Sequence, residues 1–383
     1  MRGDIMARFH DLIPVFKERI EKEFIREQTK DTDELFGVPY PYLAAGKNEK
    51  DGLYYFDTYF ANIGLIRMKM VDLARHNVDN LIYLLRSHEY VPASNRKSLP
   101  YISQPPMLPW MVRDIYRATG EKEWLRRVLP DVVKEFQYWT DKAHRTPSGL
   151  YHYVPLGVST ETTAAKDEMA CVNGPRFKDS LDINPVDLNA ILSRNAEIIF
   201  DLQKEAEGNG DESMLNRSGT IKKMLELCWN QEENFYFDNK YIEKTLSDVK
   251  ALTSFAPLFT KLVPRERAGV MQSNLADFVQ PGGLTCLDKP YNSPSAWNYP
   301  LCYAPCFYMT VRGLFNYDFM EDAADLGTNW LEMVTQIYEQ TGELWDWYNA
   351  KDQSHQMENL VNSPVMGWTM GVYVALADEL GLE

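Results

Sequence analysis

The chain has 383 residues, 45% of them hydrophobic and 25% charged, which suits one large domain or two ordinary ones and excludes dominant disorder. Forty Lys and Arg against 55 Asp and Glu leave a net charge of −15, which argues against nucleic acid and anionic membranes as partners. Aromatic residues at 13% supply a large core, and some of their faces suit ring-shaped ligands.

An apolar residue every three or four positions predicts helices over 6–29, 57–74, 77–88, 107–119, 122–143 and 185–206. The pattern continues over 217–229, 247–261, 264–275, 299–315, 320–339 and 364–380. Few segments alternate as strands do, so the fold class is all-α. Residues 1–30 read as an N-terminal helix packing on a single domain that spans 1–383. The segment from Met1 to Arg26 mixes charges among its apolar residues and does not read as a secretory signal, and no run of 18 apolar residues exists. The cysteines are Cys171, Cys228, Cys286, Cys302 and Cys306, with no CxxC pair, which predicts free buried thiols and a cytoplasmic protein. The six His show no ligand spacing, so neither a metal nor a cofactor is expected.

The loops between the helices carry aromatics, carboxylates and amides together. They are Gly46–Phe60, Val91–Pro106, Gly149–Asp187, Gln280–Pro300 and Thr341–Gly367. Loops of that size in a compact domain are usually functional. Separated by helix pairs, five such loops would converge on one end of a toroid.

These loops hold recognisable segments. They include Tyr54-Tyr55-Phe56-Asp57-Thr58-Tyr59-Phe60, Ser103-Gln104-Pro105-Pro106 and Asn184-Pro185-Val186-Asp187-Leu188-Asn189-Ala190. Further on come Gly282-Gly283-Leu284-Thr285, Trp297-Asn298-Tyr299-Pro300 and Gly367-Trp368-Thr369-Met370-Gly371. In this order the segments resemble those of the trehalases and of glycoside hydrolase family 63, including mannosylglycerate hydrolases. The resemblance covers about Pro39 to Leu380 and implies an (α/α)6 barrel acting by an inverting mechanism on a small glycoside.

Inverting hydrolysis needs two carboxyls about 6.5–9.5 Å apart, one to protonate the leaving oxygen and one to activate water. The resemblance places the base in Thr341-Gly342-Glu343-Leu344-Trp345-Asp346-Trp347, at Asp346 or, with a slipped register, at Glu343. Asp346 is one methylene shorter than the family's glutamate and reaches roughly 1.5 Å less. The acid segment corresponds to Glu168-Met169-Ala170-Cys171-Val172-Asn173-Gly174-Pro175-Arg176. Val172 stands where the family has its proton donor, and an isopropyl group donates no proton. Losing a general acid costs about 10²–10⁴-fold. Glu161, Asp167 and Glu168 lie in the same loop as replacement donors. Asn298 likewise replaces an aspartate of the family.

By the same resemblance Phe56, Asp57, Gln104, Glu161, Val172, Arg176, Trp297, Asn298, Trp345, Glu358 and Trp368 line the substrate pocket. Asp57 also reads as a helix cap, and Glu358 as a solvated loop acid. The arginines that surround the sugar in trehalases have no counterpart, since Glu49 and Ile102 fall near their places. Three functions follow as expectations. One is a glycosidase with a relocated acid. Another is a repurposed lyase, isomerase or cyclase, and the last a sugar-binding pseudoenzyme. The sequence leaves the oligomeric state open.

Overall fold

A computed structural model describes residues 2–98, 102–154, 174–177, 182–293 and 295–381; for residues 2–7 only the backbone is described. Among the described residues there are twelve α-helices. They are α1 (Arg2–Arg19), α2 (Tyr55–Arg67), α3 (Val71–His88), α4 (Leu108–Thr119), α5 (Lys122–Trp139) and α6 (Val186–Glu207). The remainder are α7 (Glu212–Met224), α8 (Ala256–Phe259), α9 (Arg265–Gln272), α10 (Ala304–Asn316), α11 (Met320–Thr341) and α12 (Gly367–Gly381).

The even-numbered helices form a closed ring: α2 packs on α4, α4 on α6, α6 on α8, α8 on α10, α10 on α12, and α12 returns to α2. Five of the odd-numbered helices wrap this ring. Helix α3 lies on α2 and α4, α5 on α4 and α6, α7 on α6, α11 on α10 and α12, and α1 on α11 and α12. Burial follows the layers. Every residue of α2 from Tyr55 to Leu65 is buried, and so is every residue of α12 from Gly367 to Ala377. A helix apolar all round belongs inside. Helix α3 instead buries Leu73, Ala74, Asn77, Val78, Asn80, Leu81, Ile82, Leu84 and Leu85 and leaves its other side toward solvent, as an outer helix does. This is the (α/α)6 barrel.

Closure at α2–α12 depends on small residues. A Cβ on Gly371 would lie 1.8 Å from the Phe60 carbonyl oxygen, and one on Gly64 would lie 2.6 Å from the Gly371 Cα. The two backbones therefore touch directly. Across the ring, Trp110 of α4 stacks on Phe259 of α8 at 4.7 Å and donates its indole N–H to Asn195 of α6 at 2.8 Å.

The predicted elements differ from the observed ones at identifiable places. The expected helix 57–74 divides at Met68–Met70, where Lys69 takes a left-handed φ of 62°. The expected helix 247–261 becomes a 3₁₀ turn (Leu252–Phe255) and the short α8, whose first turn holds Pro257, a residue without an N–H. The expected helix 299–315 starts only at Ala304, because Leu301–Cys302 pairs antiparallel with Tyr348–Asn349. Near the N-terminus α1 gives way to a π-helical turn (Ile20–Phe24) that buries Ile20 and Phe24, and Ile25–Arg26 then pairs with Tyr42–Leu43. Cys228, Cys286, Cys302 and Cys306 are free and buried, while Cys171 lies outside the described residues. No helix among the described residues is long and apolar enough to cross a membrane.

Candidate active site

The first turns of α2, α6 and α12, with the segments leading into α4 and α10, bring the motif residues to one end of the ring. Asp57 sits in the first turn of α2, and its Oδ2 accepts the backbone N–H of Trp368, in the first turn of α12, at 2.9 Å. Gln104, just before α4, uses its Oε1 to accept the Phe56 N–H at 2.9 Å and so anchors the start of α2. Phe56, Asp57 and Gln104 are all buried.

Asp346 enters from the loop between α11 and α12. Its N–H donates to the Ser363 carbonyl at 3.0 Å, and its carboxylate lies 3.3 Å from the Lys50 ammonium. That ammonium also stands over the rings of Tyr54, at 5.9 Å, and Trp368, at 5.7 Å. Lys50, Asp57 and Asp346 form one electrostatic group. Burial pushes the Asp57 carboxyl up to about 7, the Asp346 charge adds to the rise, and the Trp368 N–H and Lys50 oppose it without prevailing. Burial also raises Asp346, against the pull of Lys50. Burial alone would lower Lys50, but Asp346, Tyr54 and Asp57 outweigh it and leave the ammonium raised.

Aromatic faces complete this corner. Trp297 stacks on Tyr303 with centroids 3.5 Å apart, and both meet Trp368 edge-on at 6.4 Å. The Trp368 indole N–H is buried and has no hydrogen-bond partner among the described residues. A donor beside paired carboxylates and ring faces suits a polyhydroxylated ligand.

Arg176 lies in a 3₁₀ turn (Pro175–Phe177) that leads toward α6. Its guanidinium is buried and held by Asp187, through Nη2–Oδ1 at 2.6 Å and Nη1–Oδ2 at 3.1 Å, and by Asp238 through Nη2–Oδ1 at 2.7 Å. Asp238 also accepts the Val186 N–H at 2.9 Å, so this triad fixes the entry to α6. Burial opposes the Arg176 charge, and the two carboxylates more than offset it.

Other expected site residues stand elsewhere. Glu343 pairs with Arg19 of α1 at 2.8 Å, with Lys47 at 3.9 Å. The Asn298 side chain is occupied by backbone, accepting from Tyr291 and Tyr299 and donating to the Tyr291 carbonyl at 2.7 Å. The Trp345 ring stacks on His355 at 4.3 Å, in a surface recess that also holds the exposed Glu358 and whose lining includes neither Asp57 nor Asp346. Glu161, Asp167, Glu168 and Val172 lie outside the described residues.

Sequence reasoning did not find Lys50, Tyr303 or Asp238. Lys50 stands one residue past Glu49, so a cation does reach Asp346 although Glu49 itself is exposed. Its signal was position alone, four residues before Tyr54. Asp238 lies 62 residues from Arg176 in the chain and carried no local signal.

A family model described as Trehalase matches residues 4–180 and 176–381. The periplasmic trehalase of Shigella flexneri is 24% identical over 412 residues, covering 92% of this chain and 71% of that protein. The structure of neutral trehalase Nth1 from Saccharomyces cerevisiae superposes with a TM-score of 0.79 at 20% identity, over 90% of this chain and 77% of that one. The glycoside hydrolase family 63 mannosylglycerate hydrolase from Thermus thermophilus, solved with glucose, superposes with a TM-score of 0.70 at 16% identity, over 96% of this chain and 99% of that one. With the family model spanning nearly the whole chain and the motif residues gathered at one end of the ring, the chain belongs to the trehalase family.

Proposed function

We propose that the protein is a glycosidase acting on a small glycoside, with Asp346 as the base of an inverting hydrolysis. The carrying observation is the group formed by Asp57, Lys50 and Asp346 beside the Trp368, Trp297 and Tyr303 rings at the inner-helix N-termini. The trehalases and the mannosylglycerate hydrolase that the chain resembles cleave small glycosides, which supports this substrate class.

In this reading Lys50 favours the ionised form of Asp346, and the carboxylate takes a proton from the attacking water. Asp57 accepts hydroxyl hydrogen bonds from the sugar, and Trp368 offers its indole N–H and ring. Pairing of Glu343 with Arg19 and Lys47 supports Asp346 over the slipped register. The proton donor comes from the loop carboxyls Glu161, Asp167 and Glu168, since Val172 cannot serve.

A second reading is a lyase, isomerase or cyclase, or a binding protein, on the same barrel. Val172 in the donor's place favours it. Turnover of aryl glycosides with good leaving groups separates the readings. Such substrates need little acid assistance, so the proposal expects them to be cleaved about 10²-fold or more faster than alkyl glycosides. No turnover of either, at any pH from 4 to 9, would reject hydrolysis.

A further inference from the structure

A cavity of about 510 Å³ opens at the end of the ring away from Asp57 and Asp346, where helices such as α2, α4 and α12 finish. Its floor is aromatic: Trp110 stacked on Phe259, with Tyr59 edge-on to Trp110 at 6.1 Å and Tyr308 alongside. Its walls carry six cationic side chains, Arg67, Arg113, Arg117, Arg194, Lys261 and Arg312. Three acids, Asp114, Asp378 and Glu379, share the lining, so cations exceed acids by three in a chain whose net charge is −15. Against that overall charge the local excess requires a reason.

Internal pairing accounts for only part of the set. Arg67 binds Asp378 at 3.0 Å and Glu379 at 2.7 Å, Arg113 binds Asp114 at 2.7 Å, and Arg312 approaches the same Glu379 at 3.6 Å. Arg194 turns to Glu197. The side chains of Arg117 and Lys261, both exposed at the mouth, make no hydrogen bond or ion pair with any described residue. Arg113 also lies over the Trp110 ring, its Cζ 4.6 Å from the centroid, a cation–π contact. The volume falls in the range that small-molecule sites occupy.

We propose that this cavity binds a phosphate-bearing small molecule, its phosphoryl oxygens taken by Arg113, Arg117 and Lys261 and its body resting on the aromatic floor. Planar guanidinium forks match phosphoryl oxygens in pairs, and a multivalent anion is the ligand that several converging cations select over a monovalent one. The source is either inorganic phosphate species or a phosphorylated sugar, which share this chemistry. The site is distinct from the candidate active site, because its lining includes none of Lys50, Asp57, Asp346, Trp297, Tyr303 or Trp368.

The test is calorimetric titration of the full chain with pyrophosphate, inorganic phosphate and a hexose phosphate, ionic strength being held constant with sodium chloride. Saturable one-to-one binding is expected. The double variant Arg117→Gln/Lys261→Gln should weaken it about tenfold or more, since it removes the two unpaired cations. Lys50→Gln, at the other end of the ring, should leave it unchanged. Tighter binding of the hexose phosphate than of inorganic phosphate would support the sugar source, and the reverse the inorganic one. Heats no larger than those of chloride, equal affinity in the double variant, or loss of binding in Lys50→Gln would each overturn the proposal. None of these readouts depends on whether the protein hydrolyses glycosides.

Discussion

Gly367→Ala is the smallest change that tests whether Asp57 works where it sits. A Cβ at position 367 would come 2.0 Å from Asp57 Oδ1 and 2.6 Å from its Cγ. Carbon and oxygen in non-bonded contact settle at about 3.3–3.6 Å, so the carboxyl or the helix must move by more than about 1 Å. Helix α12 has little freedom to move, because Gly371 already rests against the Phe60 carbonyl. The carboxyl yields instead and surrenders the Trp368 N–H, which it holds at 2.9 Å. Leaving that buried donor unsatisfied costs about 1–3 kcal/mol of stability. Displacing a substrate-holding group by about 1 Å costs about 10²-fold in turnover. The assay is kcat/KM on an activated aryl glycoside, with the midpoint of thermal unfolding measured alongside. A folded Gly367→Ala protein with wild-type kcat/KM would refute the holding role of Asp57.

Asp57 also carries a pH signature. Its pKa is about 7 in the folded chain against an ordinary 3.8, so the native state keeps a proton that the unfolded state loses. The stability it contributes is full below about pH 4 and is lost as pH rises through 7. Asp57→Asn, which retains an oxygen for the Trp368 N–H, should therefore gain roughly 2–4 kcal/mol on wild type between pH 4 and pH 8 in urea titrations; a difference independent of pH would contradict this. Arg176→Ala strands two buried carboxylates and should cost about 3–5 kcal/mol, most of it recovered in Arg176→Met/Asp187→Asn/Asp238→Asn. A loss under about 1 kcal/mol would show that the triad is not what fixes the start of α6. Val172→Asp should raise turnover of alkyl glycosides by about 10²-fold, and no gain on any glycoside would favour the non-hydrolytic reading.

The all-α class was legible in the apolar periodicity, and the barrel came from the motif resemblance; the residue patterns that the structure shows agree with its two layers. Helix α12 is apolar on every side and α3 on one side, and both patterns are local. Breaks were less legible. Nothing about Lys69 announces a left-handed residue, and glycine, the usual signal, is absent from Met68–Met70. The pairing of Leu301–Cys302 with Tyr348–Asn349 joins segments nearly fifty residues apart and leaves no periodic trace. Asp57, Gln104 and Trp368 were named through the motif resemblance, and the structure brings them together at the starts of α2 and α12. Lys50 was not, since a lysine in a polar loop ordinarily reads as solvated, and only the fold shows Asp346 beside it. The same holds for the basic cavity, whose cations come from several helices and meet only when the ring closes.

The proposed hydrolysis depends on Asp346 activating water for attack at the anomeric carbon. Proton NMR of the first sugar anomer released from an aryl glycoside measures this directly. Inverted configuration is predicted for wild type and for Glu343→Gln, with turnover abolished in Asp346→Asn. Retained configuration, or undiminished turnover in Asp346→Asn, would contradict it.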